Sequence, residues 1–281
     1  MASASEAVAP SRARPSAGAP RAARVRRRQR IVRGAIGILG VCLLIEVFTR
    51  LGVVNPAFLP PFSASLVAAV ELLGRPEFQA DILATLQAWG IGLLIGIAVA
   101  VPVGLLLGLW TPAFRGSRAI IDLIRPIPSV ALIPLAILLL GTGVEMKSAL
   151  VVYAAVWPIL FNTIYGVHDV DPVATSTARS FGMSRLETIR SVVLPSAAPL
   201  ISAGIRVGAF LALMMVISTE LVVGGSAGIG SFMSRVQASG EPVIWVFGAT
   251  IIAGVIGFII NFGLNTAERA LFRWQPQERG L

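Results

Sequence analysis

Residues 83–109 read LATLQAWGIGLLIGIAVAVPVGLLLGL, a run of 27 residues without a charged side chain. An α-helix needs about 20 predominantly apolar residues to cross the hydrocarbon core of a bilayer, so this run is long enough to span a membrane. Backbone amides in lipid need hydrogen-bond partners within their own segment, and a helix supplies them. The stretch therefore predicts a transmembrane helix.

The rest of the chain shares this composition. Of its 281 residues, 56% are hydrophobic and 13% are charged, against about 25% charged residues in a typical soluble domain. Its mean hydropathy is +0.83, so most of the surface must face lipid or other apolar helices. Five further apolar runs are Ile31–Phe48, Ala119–Leu140, Ser148–Val167, Pro199–Val223 and Val243–Phe262. Together the runs predict an all-α polytopic membrane protein with six transmembrane helices.

The basic residues are distributed unevenly along the chain. The formal net charge is +9, and nine of the 23 basic residues precede residue 34. If the N-terminus lies in the cytoplasm, 19 basic residues fall on the inner side and four on the outer side: Arg50, Arg75, Lys147 and Arg235. This asymmetry follows the positive-inside rule and predicts that both termini are cytoplasmic. It also argues against nucleic acid as a partner, because most other basic residues flank apolar runs.

The pattern divides the chain into four parts. They are a disordered basic cytoplasmic tail at 1–33, a first transmembrane helix with an external segment at 34–82, a core transmembrane domain at 83–273 and a second cytoplasmic tail at 274–281. The first tail combines low hydrophobicity with high positive charge, which is typical of disorder. A signal peptide is the alternative, but no small-residue cleavage site is clear and five more spans follow.

Two local patterns concern packing. In the external segment, SLVAAVELL at 65–73 predicts a short amphipathic helix capped by Ser63 or Ser65. In the second span, two pairs of glycines have a spacing that lets helix backbones approach closely: Gly92 with Gly96, and Gly104 with Gly108. The glycines predict packing faces and carry no functional signal.

The loop after the fourth apolar run carries a helical pattern instead of a plain connection. Asp171 can cap a helix that holds Pro172 in its first turn. Gly182 suits the position just past a helix end, where a left-handed residue closes the helix. We call residues 171–195 the elbow, and they form most of the cytoplasmic loop 168–195 of the core domain.

The second half of the elbow predicts another helix. Ser184 and Glu187 have the spacing of a capping box, and Pro195 is expected to end this helix where the next span begins. Apolar side chains form one stripe on each helix: Val173, Thr177, Ala178 and Phe181 on the first, and Leu186, Ile189 and Val193 on the second. Such a surface suits the docking of a cytoplasmic partner or, alternatively, contact with lipid headgroups only.

The elbow resembles the cytoplasmic EAA loop of ABC importer permeases. The family pattern is Glu-Ala-Ala, three residues, Gly, nine residues, Ile, one residue and Leu-Pro. In this sequence Gly182 is followed, after nine residues, by Val192 in place of Ile and then by Leu194 and Pro195. The spacing therefore matches throughout this half of the motif.

The front of the motif departs from the family pattern, whereas other parts of the chain extend the likeness. Ser176, Thr177 and Ala178 stand where Glu-Ala-Ala would be, so only the alanine matches. LIRPIPSVALIPLAILLLGTG at 123–143 resembles a segment of permeases for nitrate, aliphatic sulfonates, taurine and bicarbonate. The likeness covers residues 58–273, and the chain is identified as a member of this permease family.

The resemblance implies a type I ABC importer permease in the inner membrane of a bacterium. It implies that the elbow couples to separate cytoplasmic ABC ATPase subunits, which carry ATP and magnesium, near Phe181, Gly182 and Met183. An external substrate-binding protein would deliver solute to a pair of permease chains in the lipid bilayer, either a homodimer or a heterodimer. Alternating access would move a small anionic solute inward, such as a sulfonate, nitrate, taurine or an organic acid, including an aromatic acid.

The chain has no nucleotide-binding motif of its own. A P-loop needs GxxxxGK followed by Ser or Thr, and GTGVEMKS at 141–148 has Met146 in place of the second glycine. We therefore expect no enzymatic activity and no cofactor in this chain. The single cysteine, Cys42, and the single histidine, His168, have no companions that would predict a metal cluster.

Polar side chains inside the apolar runs are candidates for the transport pathway. Glu220 lies in the fifth span, where a charge is costly, so it either lines the pathway or is a hydrogen-bonded structural residue. Arg125 and Arg206 either meet an anion or anchor the chain on the inner side. The prolines beside Arg125 predict a local bend. Other polar residues line the pathway or bond between helices: Asn162, Thr163, Thr85 and Gln87.

Two other classes of membrane protein are alternatives. An ion-coupled secondary transporter would use Glu220, but the sequence has no repeated halves of the kind such transporters carry. An intramembrane enzyme needs a nucleophile with a base, or a metal cluster, and the sequence does not offer this set. Neither class explains the elbow, so the permease is the favoured interpretation.

Overall fold

The computed structural model describes residues 19–55, 57–225 and 227–272, and these residues contain no strand. The helices are α1 (Ala19–Arg50), α2 (Phe62–Leu73), α3 (Pro76–Leu109), α4 (Thr111–Ile124), α5 (Ile133–Leu140), α6 (Val144–His168), α7 (Pro172–Ser180), α8 (Arg185–Thr188), α9 (Leu194–Val223), α10 (Ile229–Ser239) and α11 (Ile244–Leu271). A 3₁₀ turn, Ser129–Leu132, precedes α5, and a π-helical turn, Ile189–Val193, joins α8 to α9. The described residues form two compact units, one before and one after residue 56.

Within the described residues, five helices are long and apolar enough to cross a membrane. They are residues 32–50 of α1, all of α3, all of α6, the continuous helix 185–223 and all of α11. Helix α4 and the stretch 129–140 form a bent pair with an angle of 77°, which makes a sixth candidate span. The all-α fold is thus confirmed for the described residues, and the six predicted spans correspond to these five helices and the bent pair.

Helix α1, in the first unit, begins earlier than the sequence predicts. It starts at Ala19, inside the tail 1–33 that is predicted to be disordered. Alanine and arginine dominate residues 19–33 and are strong helix formers, and Pro20 stands in the first turn, where proline is tolerated. The predicted disorder is therefore wrong for residues 19–33. Residues 1–18 and the predicted tail 274–281 lie outside the described residues.

In the second unit, α6 packs along both α3 and α9. Gly92 of α3 lies so close to α6 that an added Cβ would fall 2.5 Å from Cγ1 of Val151. A Cβ at Gly104 would fall 2.6 Å from the Cβ of Thr163. The predicted packing role is confirmed for Gly92, Gly104 and Gly108, where an added Cβ would be too close to α6. At Gly96 an added Cβ would make an ordinary contact, 3.5 Å from the Cβ of Ala155.

The bent pair breaks where the sequence places its prolines. Helix α4 ends at Ile124, and Pro126 and Pro128 occupy the connection before the 3₁₀ turn. Proline has no N–H to donate, so it cannot continue a helical hydrogen-bond ladder. The predicted bend is confirmed, and it places Arg125 directly at the break.

Helix α2 forms in the segment predicted to be external, but it is not capped as predicted. It begins at Phe62, with Pro61 at the N-cap position and no side-chain cap. Ser65 donates to the carbonyl oxygen of Pro61 at 3.1 Å, within the first turn. Proline, whose φ is already restricted to the helical range, leads the chain into α2 without a serine cap.

Candidate functional site

The first helix of the elbow, α7, is closed at both ends by local hydrogen bonds. The Asp171 carboxylate accepts from the backbone N–H of Val173 at 2.7 Å and caps the start. At the other end Gly182 has a φ of +83°, and its N–H donates to the Arg179 carbonyl at 2.9 Å. The next N–H along the chain donates to the Ala178 carbonyl at 3.2 Å, which completes a Schellman motif. Both predicted helix ends are confirmed.

The second helix of the elbow starts with the predicted capping box. The N–H of Ser184 donates to Oε2 of Glu187 at 2.7 Å, and the N–H of Glu187 donates to Oγ of Ser184 at 3.3 Å. Only residues 181–184 separate α7 from α8. Because the helix end on each side of this turn is closed by its own hydrogen bonds, the elbow has a defined shape.

The prediction that Pro195 ends the second helix is wrong. Helix α8 continues through the π-helical turn into α9, and the N–H of Leu194 donates to the carbonyl of Ile189, five residues earlier. Proline has no N–H, so a carbonyl before it loses its usual helical partner. The wider turn lets the chain pass the proline while remaining helical. The elbow is therefore continuous with the fifth span.

The elbow buries some apolar side chains and leaves three large ones more than two-thirds exposed. Ala178 and Val193 are buried, with exposures of 7% and 6%. Phe181 is 84% exposed, Leu186 74% and Val173 69%. The two predicted apolar stripes therefore divide into residues that pack within the chain and residues that face away from it.

The other predicted coupling residues surround this exposed group. They fall into an exposed set (Ser176, Thr177, Gly182 and Leu194) and a half-buried set (Met183, Val192 and Pro195). Ser176 stands where the family pattern has glutamate, and its hydroxyl donates to the Pro172 carbonyl at 2.7 Å. This serine is therefore bonded to its own helix.

A cleft of 590 Å³, which we call the aromatic cleft, lies beside α6. Aromatic side chains of α6 form one wall: Tyr153, Trp157, Phe161 and Tyr165. Residues of α9 form another: Leu211, Met214, Met215 and Ser218. Of the predicted pathway candidates, Arg125 and Asn162 line the aromatic cleft, whereas Glu220 is not among its lining residues.

Arg125 brings a positive charge to the aromatic cleft. Its guanidinium carbon lies 4.6 Å from the ring centroid of Phe161, a distance typical of a cation–π contact. Among the described residues it has no acidic ion-pair partner. Arg206, the other arginine that the sequence offers to an anion, forms an ion pair with Glu268. Only Arg125 of these two retains an unpaired charge.

The hydrogen-bonding groups of the aromatic cleft differ in how well they are satisfied. Nδ2 of Asn162 donates to the Pro158 carbonyl at 2.8 Å, and the Tyr153 hydroxyl donates to the Ile124 carbonyl at 2.9 Å. Nε1–H of Trp157 is buried and has no acceptor among the described residues. The aromatic wall is not among the features predicted from the sequence, although four aromatic residues spaced four apart on one helix are a visible signal for it.

A second polar region, which we call the buried cluster, surrounds Glu220. This residue is 0% exposed, and its Oε1 lies 3.1 Å from Nζ of Lys147. The Thr85 hydroxyl donates to its Oε2 at 2.9 Å, and the backbone N–H of Gly230 donates to the same oxygen at 3.1 Å. A cation and two further donors offset the cost of burying this carboxylate.

Asp81 belongs to the buried cluster and ties the connection between α9 and α10 to α3. Its Oδ1 accepts from the N–H of Gly228 at 2.7 Å, and its Oδ2 accepts from Arg235 at 2.5 Å. Gly228 has a φ of +148°, and an added Cβ would fall 2.2 Å from the carboxylate of Glu220. Only glycine fits this position.

Glu220 therefore has the contacts of a structural residue, which is one of the two readings that the sequence leaves open. Lys147, which the sequence places on the outer flank of a span, is only 3% exposed because it pairs with Glu220. The two residues are 73 positions apart, so no local pattern predicts their contact. The available signal was the presence of one intramembrane acid and one lysine, each needing a partner.

Sequence comparisons match the chain to one family of membrane proteins. Residues 92–275 match the model of the family described as binding-protein-dependent transport system inner membrane component. The chain is 32% identical over 254 residues to the taurine transport system permease protein of Escherichia coli, covering 86% of this chain and 90% of that protein. It is 27% identical over 181 residues to the nitrate import permease protein of Leptolyngbya laminosa, covering 64% of each chain.

A comparison with solved structures agrees on the fold. The MetNI methionine ABC transporter in an inward-facing conformation contains a chain that matches with a TM-score of 0.62 and 18% identity, covering 71% of this chain and 99% of that one. At this identity the likeness concerns the fold alone. The family match, in contrast, covers more than half of the sequence. The chain therefore belongs to the family of binding-protein-dependent transport system inner membrane components and is the permease subunit of an ABC importer.

Proposed function

We propose that two copies of this chain form the membrane pathway of an importer for a small anion, driven by separate ABC ATPase subunits docked on the elbows. ATP and magnesium bind to those subunits, and an external substrate-binding protein delivers the anion. The observation that carries this proposal is the exposed apolar group of the elbow, formed by Phe181, Leu186 and Val173.

No other part of the chain that the structure describes buries these three side chains. Burying one large apolar side chain contributes about 1.5–3 kcal/mol, and Phe181 is 84% exposed. A helix that only rests on lipid headgroups needs no sharply defined turn. The elbow has one, because capped helices hold residues 181–184 between them. Apolar side chains held in fixed directions suit a shaped groove on a protein.

Movement of the elbow can reach the aromatic cleft through helices that are attached to it. Helix α6 ends where the elbow begins, and α8 runs through the π-helical turn into α9. Both α6 and α9 line the aromatic cleft. Closure of the ATPase subunits would therefore displace two walls of the cleft together, as alternating access requires.

The elbow and the buried cluster lie at opposite ends of the same helices. Lys147 stands near the start of α6 and Glu220 near the end of α9, whereas the elbow joins the end of α6 to the start of α9. Helix α6 has 25 residues, which span about 37 Å at 1.5 Å per residue. With the elbow in the cytoplasm, as the positive-inside rule predicts, both termini are cytoplasmic and the buried cluster lies toward the outer face of a bacterial inner membrane.

The proposed substrate class is supported by the relatives and by one charge. The relatives are named for the transport of taurine and the import of nitrate. Arg125 places an unpaired cation in the aromatic cleft, and among the described residues no acidic side chain lines it. A cationic cleft favours an anion during passage.

Copurification tests the docking of an ATPase. The tagged protein is solubilised from its native membrane, and bound proteins are identified by mass spectrometry. Wild type is expected to retain a P-loop ATPase, and Gly182→Val is expected to lose it, because valine is strained at a φ of +83°. Gly116→Val is the matched control, since its position has open space and no positive φ. A protein that comes out alone and moves anions into liposomes without ATP would contradict the proposal and favour an ion-coupled secondary transporter.

A further inference from the structure

We infer that the aromatic cleft selects anions that carry a flat aromatic body, such as arenesulfonates and arenecarboxylates, over small inorganic anions. This inference rests on the proposed import of anions and concerns the substrate class of that pathway. It begins with α6 side chains spaced four residues apart: Tyr153, Trp157, Phe161 and Tyr165. Both tyrosines of the chain belong to this set.

The four rings form a wall because residues four apart lie on one face of a helix. The ring centroids of Tyr153 and Trp157 are 5.8 Å apart, with the planes at 82°. Those of Phe161 and Tyr165 are 6.1 Å apart, with the planes at 30°. Aromatic pairs favour such separations. The wall therefore offers ring edges and faces to the cleft along about three turns of α6.

The lining that α9 contributes is mostly apolar and adaptable. Met214 and Met215 line the cleft with Leu211, and methionine sulfur makes favourable contacts with ring edges. The cleft has a volume of 590 Å³. Since a cavity of about 150 Å³ already admits benzene, the cleft has room for an arene with an acid group.

The charge of the aromatic cleft selects the sign of the ligand. Arg125 lines it, and among the described residues no Asp or Glu does, so the rings are not a cage for an ammonium group. The guanidinium carbon lies 4.6 Å from the ring centroid of Phe161. A guanidinium carries five N–H donors, so a cation–π contact still leaves donors for hydrogen bonds to a carboxylate or sulfonate. An acid group held there places the body of the ligand beside the aromatic wall.

Trp157 offers a second polar contact in the same space. Its Nε1–H is buried without an acceptor among the described residues, whereas buried donors normally have one. An oxygen of a bound ligand would satisfy this donor once the indole turns its covered N–H toward the cleft. A bare nitrate can meet the polar groups but leaves the aromatic wall uncovered, so the wall adds affinity only for a ligand with an apolar body.

Binding of 2-naphthalenesulfonate to the purified full-length chain in lipid nanodiscs tests the inference without the ATPase or the binding protein. The fluorescence of the probe reports binding, and empty nanodiscs correct for partition into lipid. We expect saturable binding to wild type. Methanesulfonate and nitrate, which carry a charge but no ring, are expected to compete about tenfold less well or worse.

Two pairs of variants locate the site. Arg125→Gln is expected to weaken probe binding about tenfold or more, whereas Arg115→Gln, exposed on α4 and outside the cleft, leaves it unchanged. Trp157→Phe keeps a ring but removes the N–H, and is expected to weaken binding about three- to tenfold. Trp110→Phe, exposed and outside the cleft, is its control. An unchanged unfolding midpoint verifies that each variant is folded.

The inference is overturned if no saturable binding occurs, if methanesulfonate competes as well as the arene, or if folded Arg125→Gln binds like wild type. Each of these results concerns the aromatic cleft and leaves the elbow untouched. A P-loop ATPase that copurifies while the probe fails to bind therefore refutes the aromatic selectivity and supports the proposed function. Probe binding without any copurifying ATPase supports the aromatic selectivity and refutes the proposed function.

Discussion

The buried cluster and the elbow, at opposite ends of α6 and α9, reverse the usual placement of charged and apolar groups. In the buried cluster, Glu220, Lys147 and Asp81 are at most 3% exposed. Glu220 pairs with Lys147, and Asp81 accepts from the N–H of Gly228. In the elbow, Phe181 and Leu186 are 84% and 74% exposed. Polar groups whose partners lie within the chain have a structural role. Apolar side chains that the chain leaves exposed indicate where another molecule binds.

The largest effect is expected at the ion pair of the buried cluster. Lys147→Met leaves Glu220 as an uncompensated buried charge, which is expected to lower the free energy of unfolding by about 3–5 kcal/mol. Unfolding of the purified protein in detergent micelles measures this change. The double variant Lys147→Met with Glu220→Gln removes both charges and keeps a hydrogen-bond acceptor, so it is expected to recover most of the loss.

The double variant also tests the role of Glu220 in transport. If the carboxylate is structural, the folded double variant retains ATP-driven uptake. A double variant that folds as well as wild type but no longer transports would place Glu220 on the pathway. The buried cluster would then have a functional role, as the elbow does.

A smaller effect, on association and not on stability, is expected at the elbow. Phe181→Ser with Leu186→Ser removes two side chains that are 84% and 74% exposed, so the unfolding midpoint of the isolated chain should not change. Affinity for the ATPase is expected to fall about tenfold or more, which corresponds to about 1.4 kcal/mol. Titration of the purified ATPase measures this change, with Val70→Ser on α2, at a side chain that is 65% exposed, as the control. Unchanged affinity, or a lower unfolding midpoint, would contradict the docking role.

Features set by neighbouring residues were predictable from sequence. The Asp171 cap, the left-handed Gly182 and the capping box at Ser184 each depend on side chains and backbone within a few positions. The bend at Pro126 and Pro128 follows from the missing N–H of proline. The π-helical passage before Pro195 was not predictable, because a proline near a helix start can either end the preceding helix or be absorbed by a wider turn.

Features set by tertiary packing were not predictable from sequence. The partner of Glu220 comes from a helix 73 residues away, and a single chain offers no pattern that pairs them. The stripe on α7 could not reveal that Ala178 packs while Phe181 stays exposed. Similarly, the spacing of Tyr153, Trp157 and Phe161 places them on one face of α6 without revealing that this face borders a cleft.

Cross-linking from residue 181 tests most directly whether the elbow carries the ATPase. In a Cys42→Ser background, which removes the one native cysteine, Phe181→Cys provides a single thiol at an exposed position of the elbow. Val70→Cys provides the matched thiol on α2. In transport-active native membranes, a thiol–amine cross-linker is predicted to join residue 181, and not residue 70, to a P-loop ATPase identified by mass spectrometry. A transport-active protein that forms no ATPase adduct at residue 181, or forms it equally at residue 70, would contradict docking at the elbow.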